Sequence, residues 1–296
     1  MLKTIVLLFT VQLSFSQAWM TNLDIAQRLA LVENKMVLMV WEGTTEYPYP
    51  VFVNDDSGRR VFISNLFVDE EISPLIWKHF VPVIVNEDRY GVLYAKIKGK
   101  RSQKYIEKFN DNSIKIMDAN GNILNASDFY YEDLQNITTL IQKYGLNTGY
   151  ITPELRGYHT EKDFYSSYFL ASKYMDYSMY SIEQLRPDLI ALSSIYLNEA
   201  RRFTNKESPE DKQMLQQRCD LLEIQQSLLL KRPKKVLRYL KKIDADEITN
   251  ANSEFIAFLY YTAYMCRQDA DKAEKWKSKI SSVNLKKAQM LINLNS

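Results

Sequence analysis

Hydrophobic and polar positions follow two different rhythms along this chain. In the first half, continuous apolar runs are separated by stretches with helical spacing. Residues 36–41 (Met-Val-Leu-Met-Val-Trp) form an unbroken apolar run after Asn34 and Lys35, and residues 80–85 form a second that stops at Asn86, Glu87 and Asp88. Short apolar runs bounded by turn residues predict strands buried on both faces. Residues 113–117 predict a third strand, stopped by Asp118, Ala119, Asn120 and Gly121. Asn-Gly is the strongest hairpin signal in the chain, because the favoured two-residue turn needs positive φ at both positions. Residues 122–124 then predict the return strand. Helices frame these runs. Ile25, Leu29 and Val32, with Ala26 and Ala30 beside them, predict a helix over 22–33. Leu134, Ile137, Leu140 and Ile141 predict one over 131–144, with Gly145 at its C-cap.

After Gly145 the strand signal disappears. Residues 161–177 read as an aromatic-rich helix, and Ile182, Leu185, Leu189, Leu192 and Tyr196 mark another, with Pro187 as its start or a kink. Residues 214–230, 233–243, 253–267 and 270–280 predict two helical hairpins. An offset of 37 residues aligns 221–230 with 258–267 and 240–243 with 277–280. That period lies between those of tetratricopeptide and HEAT repeats. Gly149, Pro153 and Gly157 place the boundary between the halves near 147–157. The expected organisation is an α/β domain over 19–147, then an all-α helical-repeat (tetratricopeptide-like) domain over 158–296.

Composition narrows the chemistry. The 296 residues are 46% hydrophobic and 12% aromatic, as expected of a globular protein. Lys and Arg number 38 against 36 Asp and Glu, a net charge of +2 that argues against a nucleic-acid partner. Two histidines, two cysteines and eight glycines leave little for multi-histidine metal sites, disulfide frameworks or glycine-rich phosphate loops, so no cofactor is expected. Paired acids at Asp55-Asp56 and Asp69-Glu70-Glu71 read as loop and helix N-terminal charges rather than metal ligands. Met1, Leu2 and Lys3 followed by the apolar stretch 4–15, broken by Gln12, and then by Ser14, Phe15, Ser16, Gln17 and Ala18, have the layout of a secretory signal peptide over 1–18. Its ending resembles that of Bacteroidetes-type signal peptides. The mature chain is therefore expected to be secreted or periplasmic, with no transmembrane segment. Sequons at Asn125 and Asn136 are short enough to be incidental.

The order helix, buried strand, helix-containing segment, buried strand, Asn-Gly hairpin, final helix resembles the thioredoxin fold. Residues 34–41 are similar to the Lys-x-Val-Leu-Val-x-Phe central strand of secreted thioredoxin-like proteins. Residues 80–85 resemble the strand after their active-site helix, and 114–121 resemble their Phe-Leu-x-Asp-x-x-Gly hairpin. The resemblance implies two cysteines spaced C-x-x-C at a helix N-terminus after the central strand, and a cis-proline before the third. Here Glu46, Tyr47, Pro48 and Tyr49 occupy the first set of positions and Asn112 or Ser113 the second. A carboxylate and a phenol cannot exchange disulfides. Cys219 and Cys266 are expected to be reduced thiols acting as small core hydrophobes.

Recognition is what these residues leave open. Tyr47, Pro48 and Tyr49 form a possible lip for an extended peptide, or a rigid turn packed on the domain. Tyr158, Phe164, Tyr165, Tyr168, Phe169, Tyr174, Tyr177 and Tyr180 exceed what one helix face can bury, and are either a partner surface, with Tyr165, Tyr168 and Tyr177 as its residues, or the seam between the halves. Seven cations between Lys231 and Lys242 interleave with Val236, Leu237 and Leu240, giving an amphipathic helix whose basic face meets solvent, a membrane surface or an acidic partner. The expected function is a non-catalytic protein that binds a protein or peptide. A thiol–disulfide-related enzyme with an atypical site and a structural accessory of an envelope assembly are the alternatives.

Overall fold

The computed structural model describes residues 18–127, 134–244 and 248–296. Apart from Ala18, the signal-peptide stretch lies outside the described residues.

Strand β1 (Met36–Trp41) is the centre of a three-stranded sheet. It pairs in parallel with β4 (Phe80–Val85), Met36 opposite Phe80, and antiparallel with β5 (Lys115–Met117), Leu38 opposite Ile116. Single bridges extend both edges, Met20 beside β4 and Ile123 beside β5. Both long apolar runs thus become strands with the expected bounds. The reason is visible in β1: Met36, Leu38 and Val40 enter one core while Val37, Met39 and Trp41 enter another on the opposite face.

Helix α1 (Leu23–Glu33) starts at Asn22, whose side chain accepts from Ile25 N at 3.1 Å, and ends at Asn34 in the left-handed region. It buries Leu23, Ala26 and Ala30 rather than the stripe that its large apolar residues mark out: Ile25 is 49% and Val32 68% exposed. The alanines let the helix approach β4 closely, and the bulkier residues are rotated to the flank.

Two insertions separate the long strands from each other and from β5. Between β1 and β4 lie the hairpin β2 (Val51–Asn54) and β3 (Arg60–Ile63), then α2 (Ile72–His79). Between β4 and β5 lie α3 (Tyr90–Ile97) and α4 (Gln103–Asn110). Asp55 holds the hairpin turn by accepting from Ser57 N and Arg59 N, both at 2.9 Å, and Asp69 accepts from Glu71 N and Ile72 N at the start of α2, both at 3.0 Å. Those acids are spent on turns and a helix start. The Asn120-Gly121 turn forms with Gly121 at φ 83°, and a Cβ there would also lie 2.5 Å from Gln27 Nε2. The return strand shrinks to the Ile123 bridge. Helix α5 (Ile137–Tyr144) begins at its Asn136 cap, and residues 131–133 of the longer expected helix lie outside the described residues. Asn125 is fully buried, bonded to Ile116 N and Ile114 O, so its sequon is closed to modification in the folded chain.

The Gly-Pro-Gly region 147–157 is structured. Helix α6 (Thr152–Thr160) contributes Leu155 and Tyr158 to the same apolar core that contains Met36 and Leu38 and extends to Leu291 in the last helix. The polar centre of this seam is Asp118. Its carboxylate accepts from Asn120 N and Asn122 N, each at 3.0 Å, from the Tyr174 hydroxyl at 3.1 Å, and from the Tyr196 hydroxyl. Burial raises this carboxyl above its ordinary pKa, and the four donors oppose the rise. Nearby, the Tyr158 hydroxyl donates to Glu199, which also pairs with Arg101 at 3.1 Å.

The remainder is helical: α7 (Phe164–Tyr180), α8 (Arg186–Phe203), α9 (Pro209–Leu229), α10 (Pro233–Leu240), α11 (Ser253–Met265), α12 (Ala270–Lys277) and α13 (Ser282–Asn295). The turns α9–α10 and α11–α12 are twins. Lys231 and Gln268, 37 residues apart, both take positive φ (56° and 58°). Arg232 N bonds to Ser227 O at 2.8 Å and Asp269 N to Tyr264 O at 3.0 Å, the same six-to-one closure of the preceding helix. Helix α13 does not extend the row outward. It touches α9 and α11 and returns to α7, where Lys287 pairs with Asp176 at 2.6 Å. No described helix is long and apolar enough to cross a membrane.

Candidate functional site

Two places compete for the role of site: the turn after β1 and the space enclosed by α7, α9, α11 and α13. The turn is a short 3-10 segment, Glu42–Thr45, followed by irregular chain through Pro50, so Glu46, Tyr47, Pro48 and Tyr49 do not open a helix. Its polar groups are bonded internally. Gly43 N donates to Glu87 at 2.7 Å, Asn86 Nδ2 donates to Glu42, and Thr44 Oγ1 donates to Asn112 O at 3.3 Å. The facing loop is held by two buried lysines: Lys108 Nζ donates to Ser113 Oγ at 2.6 Å, and Lys115 Nζ donates to Ser113 O at 2.8 Å and Asp111 Oδ1 at 3.1 Å. Burial lowers Lys115 to about 8, against the pull of Asp111. Tyr49 is half-buried, its ring against Phe67 and its hydroxyl donating to Gln135 at 3.4 Å. Burial, helped by the charge of Asp111, pushes its phenol up to about 12. Pro48 is exposed, and Tyr47 stands free at 73% exposure.

The aromatic stretch divides between interior and surface. Tyr158, Phe164, Tyr168 and Tyr174 are buried, while Tyr165, Phe169 and Tyr180 are at least half exposed. Tyr177 is half-buried, stacked on Tyr150 with its hydroxyl donating to Asn147 O at 3.0 Å. Tyr158 and Tyr174 belong to the seam, Tyr168 lies against Arg218 of α9, and the exposed rings face solvent.

The enclosed space is a recess of about 230 Å³ whose walls include Tyr168, Phe169, Arg218, Gln225, Phe255 and Lys287. Gln225 lies at its base, 1% exposed, and its Nε2 has no hydrogen-bond partner. A buried donor without an acceptor costs free energy on the order of 1–3 kcal/mol. Arg218 lies over the Tyr168 ring at 5.8 Å and makes long contacts of 3.4 Å to Ala251 O and Asn252 Oδ1. Among the described residues no carboxylate is within ion-pair distance of it, but Glu254 lines the same recess, its carboxyl lowered by hydrogen bonds from Ser281 and Asn284 and in part by the Arg218 charge. Burial pushes the Tyr168 phenol up to about 12, with Arg218 opposing. Lys287 and Glu254 are engaged, with Asp176 and with Ser281 N and Asn284 respectively. The recess therefore offers one orphaned neutral donor, Gln225, and one loosely held cation, Arg218, between aromatic walls, with the Glu254 carboxylate on the same lining.

Of the aromatic residues the sequence singles out, Tyr168 and Phe169 reach this recess, and of the expected partner-binding set only Tyr168 does. Tyr47 belongs to the other region, and Tyr165 and Tyr177 face elsewhere. Arg218, Gln225, Phe255 and Lys287 escape pattern reading, although Arg218 and Phe255 are 37 residues apart and so repeat-equivalent. Cys219 and Cys266 are free thiols, the first buried and the second half-buried, pushed up to about 12 and about 11 by burial. Neither has the thiolate character that exchange chemistry needs. Among the described residues no group of three or more His, Cys, Asp or Glu could hold a metal. No family model, curated protein or solved structure matches the chain.

Proposed function

We propose that this chain is a non-catalytic binding protein whose helical half captures a protein or peptide partner by receiving an acidic side chain or terminus in the recess among α7, α9, α11 and α13. The observation that carries the reading is the buried, unpartnered Nε2 of Gln225 in the same recess as Arg218, whose hydrogen bonds are long and which has no ion-pair partner among the described residues. An incoming carboxylate satisfies both, and Tyr168, Phe169 and Phe255 supply apolar contact for its stem. A recess of about 230 Å³ admits one anchor residue, so the rest of the partner lies across the exposed rim, where Phe169 stands.

The same reading takes the front half as a thioredoxin-like fold that has lost its redox site, and the back half as tetratricopeptide-like. The strand order Met20, β4, β1, β5, Ile123 supports the first, and the 37-residue twin turns support the second. It places the mature protein in the secreted or periplasmic space, on the pattern of residues 1–18 alone.

Display selection of random peptides on the full mature chain tests the binding role. Selected peptides should be rich in Asp or Glu, and Arg218→Ala should weaken them by about tenfold or more, the scale of a charge-assisted hydrogen bond. Peptides that ignore Arg218, or dithiothreitol-driven insulin reduction that depends on this protein, would defeat the reading.

A further inference from the structure

A second, larger recess of about 780 Å³ lies at the α9–α10 turn, away from the proposed peptide site. Its walls are Lys231, Arg232, Lys234, Lys235, Arg238 and Arg267, with Pro233 and Cys266 as the apolar part. Six cations line it and no acid does. Lys231 pairs with Glu183 at 2.9 Å. Among the described residues none of the other five has a carboxylate within ion-pair distance; Lys235 and Arg238 lie over the Tyr239 ring instead.

The twin turn shows that the fold does not require this charge. Advancing 37 residues from Lys231, Arg232, Lys234, Lys235 and Arg238 gives Gln268, Asp269, Asp271, Lys272 and Lys275. The second turn has the same backbone and a balanced set of charges, with Asp269 accepting from Lys272 at 2.6 Å. Helix α12 carries an acid in its first turn, where the positive end of the helix dipole favours one; α10 carries none, and places Lys234 and Lys235 there instead. Cations crowded against a positive helix end repel one another and the dipole. An anion removes that penalty, and three guanidiniums in reach of one cavity suit the oxygens of phosphoryl groups, which they bind in bidentate fashion.

We infer that the α9–α10 recess is a binding site for a phosphoryl-bearing ligand, gripped by Arg232, Arg238 and Arg267 with Lys234 and Lys235 at the helix start. The volume exceeds one phosphate and suits a diphosphate or a phosphorylated headgroup. Cys266, with its thiol held protonated by burial, serves as wall rather than reagent.

Calorimetric titration of the full mature chain with inorganic pyrophosphate, and sedimentation with vesicles of phosphatidylcholine containing phosphatidylglycerol, test the site and separate a soluble ligand from a lipid headgroup. Binding in either arm is expected to weaken as salt rises. Arg238→Ala with Arg267→Ala should reduce it by about tenfold or more, whereas Lys241→Ala with Lys242→Ala, just past the end of α10 and outside the recess, should leave it within about twofold. Lys234→Asp, which copies the twin turn, should abolish binding while raising Tm by about 1–2 °C, because an acid suits that helix end. Pyrophosphate binding alone assigns a soluble phosphoryl ligand, and vesicle binding alone assigns a headgroup. No binding in either arm, or equal loss in the Lys241/Lys242 pair, would overturn the site.

Discussion

Around residues 42–49 hydrogen-bonding groups consume one another, whereas in the recess among α7, α9, α11 and α13 they are left waiting. Gly43, Thr44 and Glu42 are bonded to Glu87, Asn112 and Asn86, and the buried ammonium groups of Lys108 and Lys115 are satisfied by the loop 111–113. In the recess Gln225 Nε2 is buried without an acceptor, and Arg218 has no carboxylate within ion-pair distance among the described residues, although Glu254 lines the same space. An unsatisfied buried donor is a cost that a fold ordinarily removes. Gln135 Nε2, beside Tyr49, is another, so the orphan at Gln225 carries weight only together with the recess around it. On the proposed reading, the turn after β1 is the rigid region and the helices are the recognition surface.

The two halves that carry these regions meet at Asp118, and the largest expected effect is there. Asp118→Ala leaves the Tyr174 and Tyr196 hydroxyls and two backbone N–H groups without their acceptor, so urea unfolding should show a loss of roughly 3–5 kcal/mol. Asp118→Asn retains an acceptor and should lose less. A loss under about 1 kcal/mol for the alanine variant would mean that the seam is not the joint between the halves.

Titration sharpens the same contrast. Lys115 in the front loop has a folded pKa of about 8 against an ordinary 10.5, so the unfolded chain holds its proton more tightly and stability should rise as pH goes from 8 toward 10.5. Tyr49, Tyr105 and Tyr168 are held near 12, and Tyr174 and Tyr196 are raised well above 10. Above pH 10 the unfolded chain releases those phenolic protons and the folded chain does not, so the tyrosines pull stability down. The Cys219 and Cys266 thiols, raised by burial to about 12 and about 11 from an ordinary 9.0, add a loss that begins near pH 9. Urea midpoints should therefore hold or rise only to about pH 9 and then fall, and Lys115→Met should remove any rise and steepen the fall up to about pH 10.5.

Smaller effects separate the two candidate surfaces. Gln225→Leu replaces an orphaned amide with an apolar side chain of similar size, so stability should change by about 1 kcal/mol or less, in either direction, while peptide affinity drops. Tyr47→Ala, at a position 73% exposed, should change both stability and peptide affinity by less than about 0.5 kcal/mol. Tyr47→Ala weakening capture as strongly as Arg218→Ala would reverse the assignment of roles.

Much of this architecture is legible in the sequence, for identifiable reasons. Strands β1 and β4 stand out because residues on both of their faces are buried, which leaves unbroken apolar runs. The twin hairpins stand out because their packing repeats every 37 residues. The β2–β3 hairpin does not: its strands are only half-covered, and Arg60 and Asn54 break the apolar pattern, although Asp56, Ser57 and Gly58 carry the turn chemistry. The face of α1 is misread because alanine, not the larger isoleucine or valine, meets the sheet. Tyr168 reaches the recess as one of a crowd of aromatics that spacing alone cannot sort. Gln225 is invisible in sequence because its significance is a missing partner, which exists only once four helices have closed around it.

Hydrogen exchange on the full chain, with and without a saturating display-selected acidic peptide, tests the division of roles most directly. The expected result is new protection in α7, α9, α11 and α13, with residues 42–49 unchanged. Protection confined to residues 42–49, with the helices unaffected, would place recognition at the turn after β1 and contradict the account.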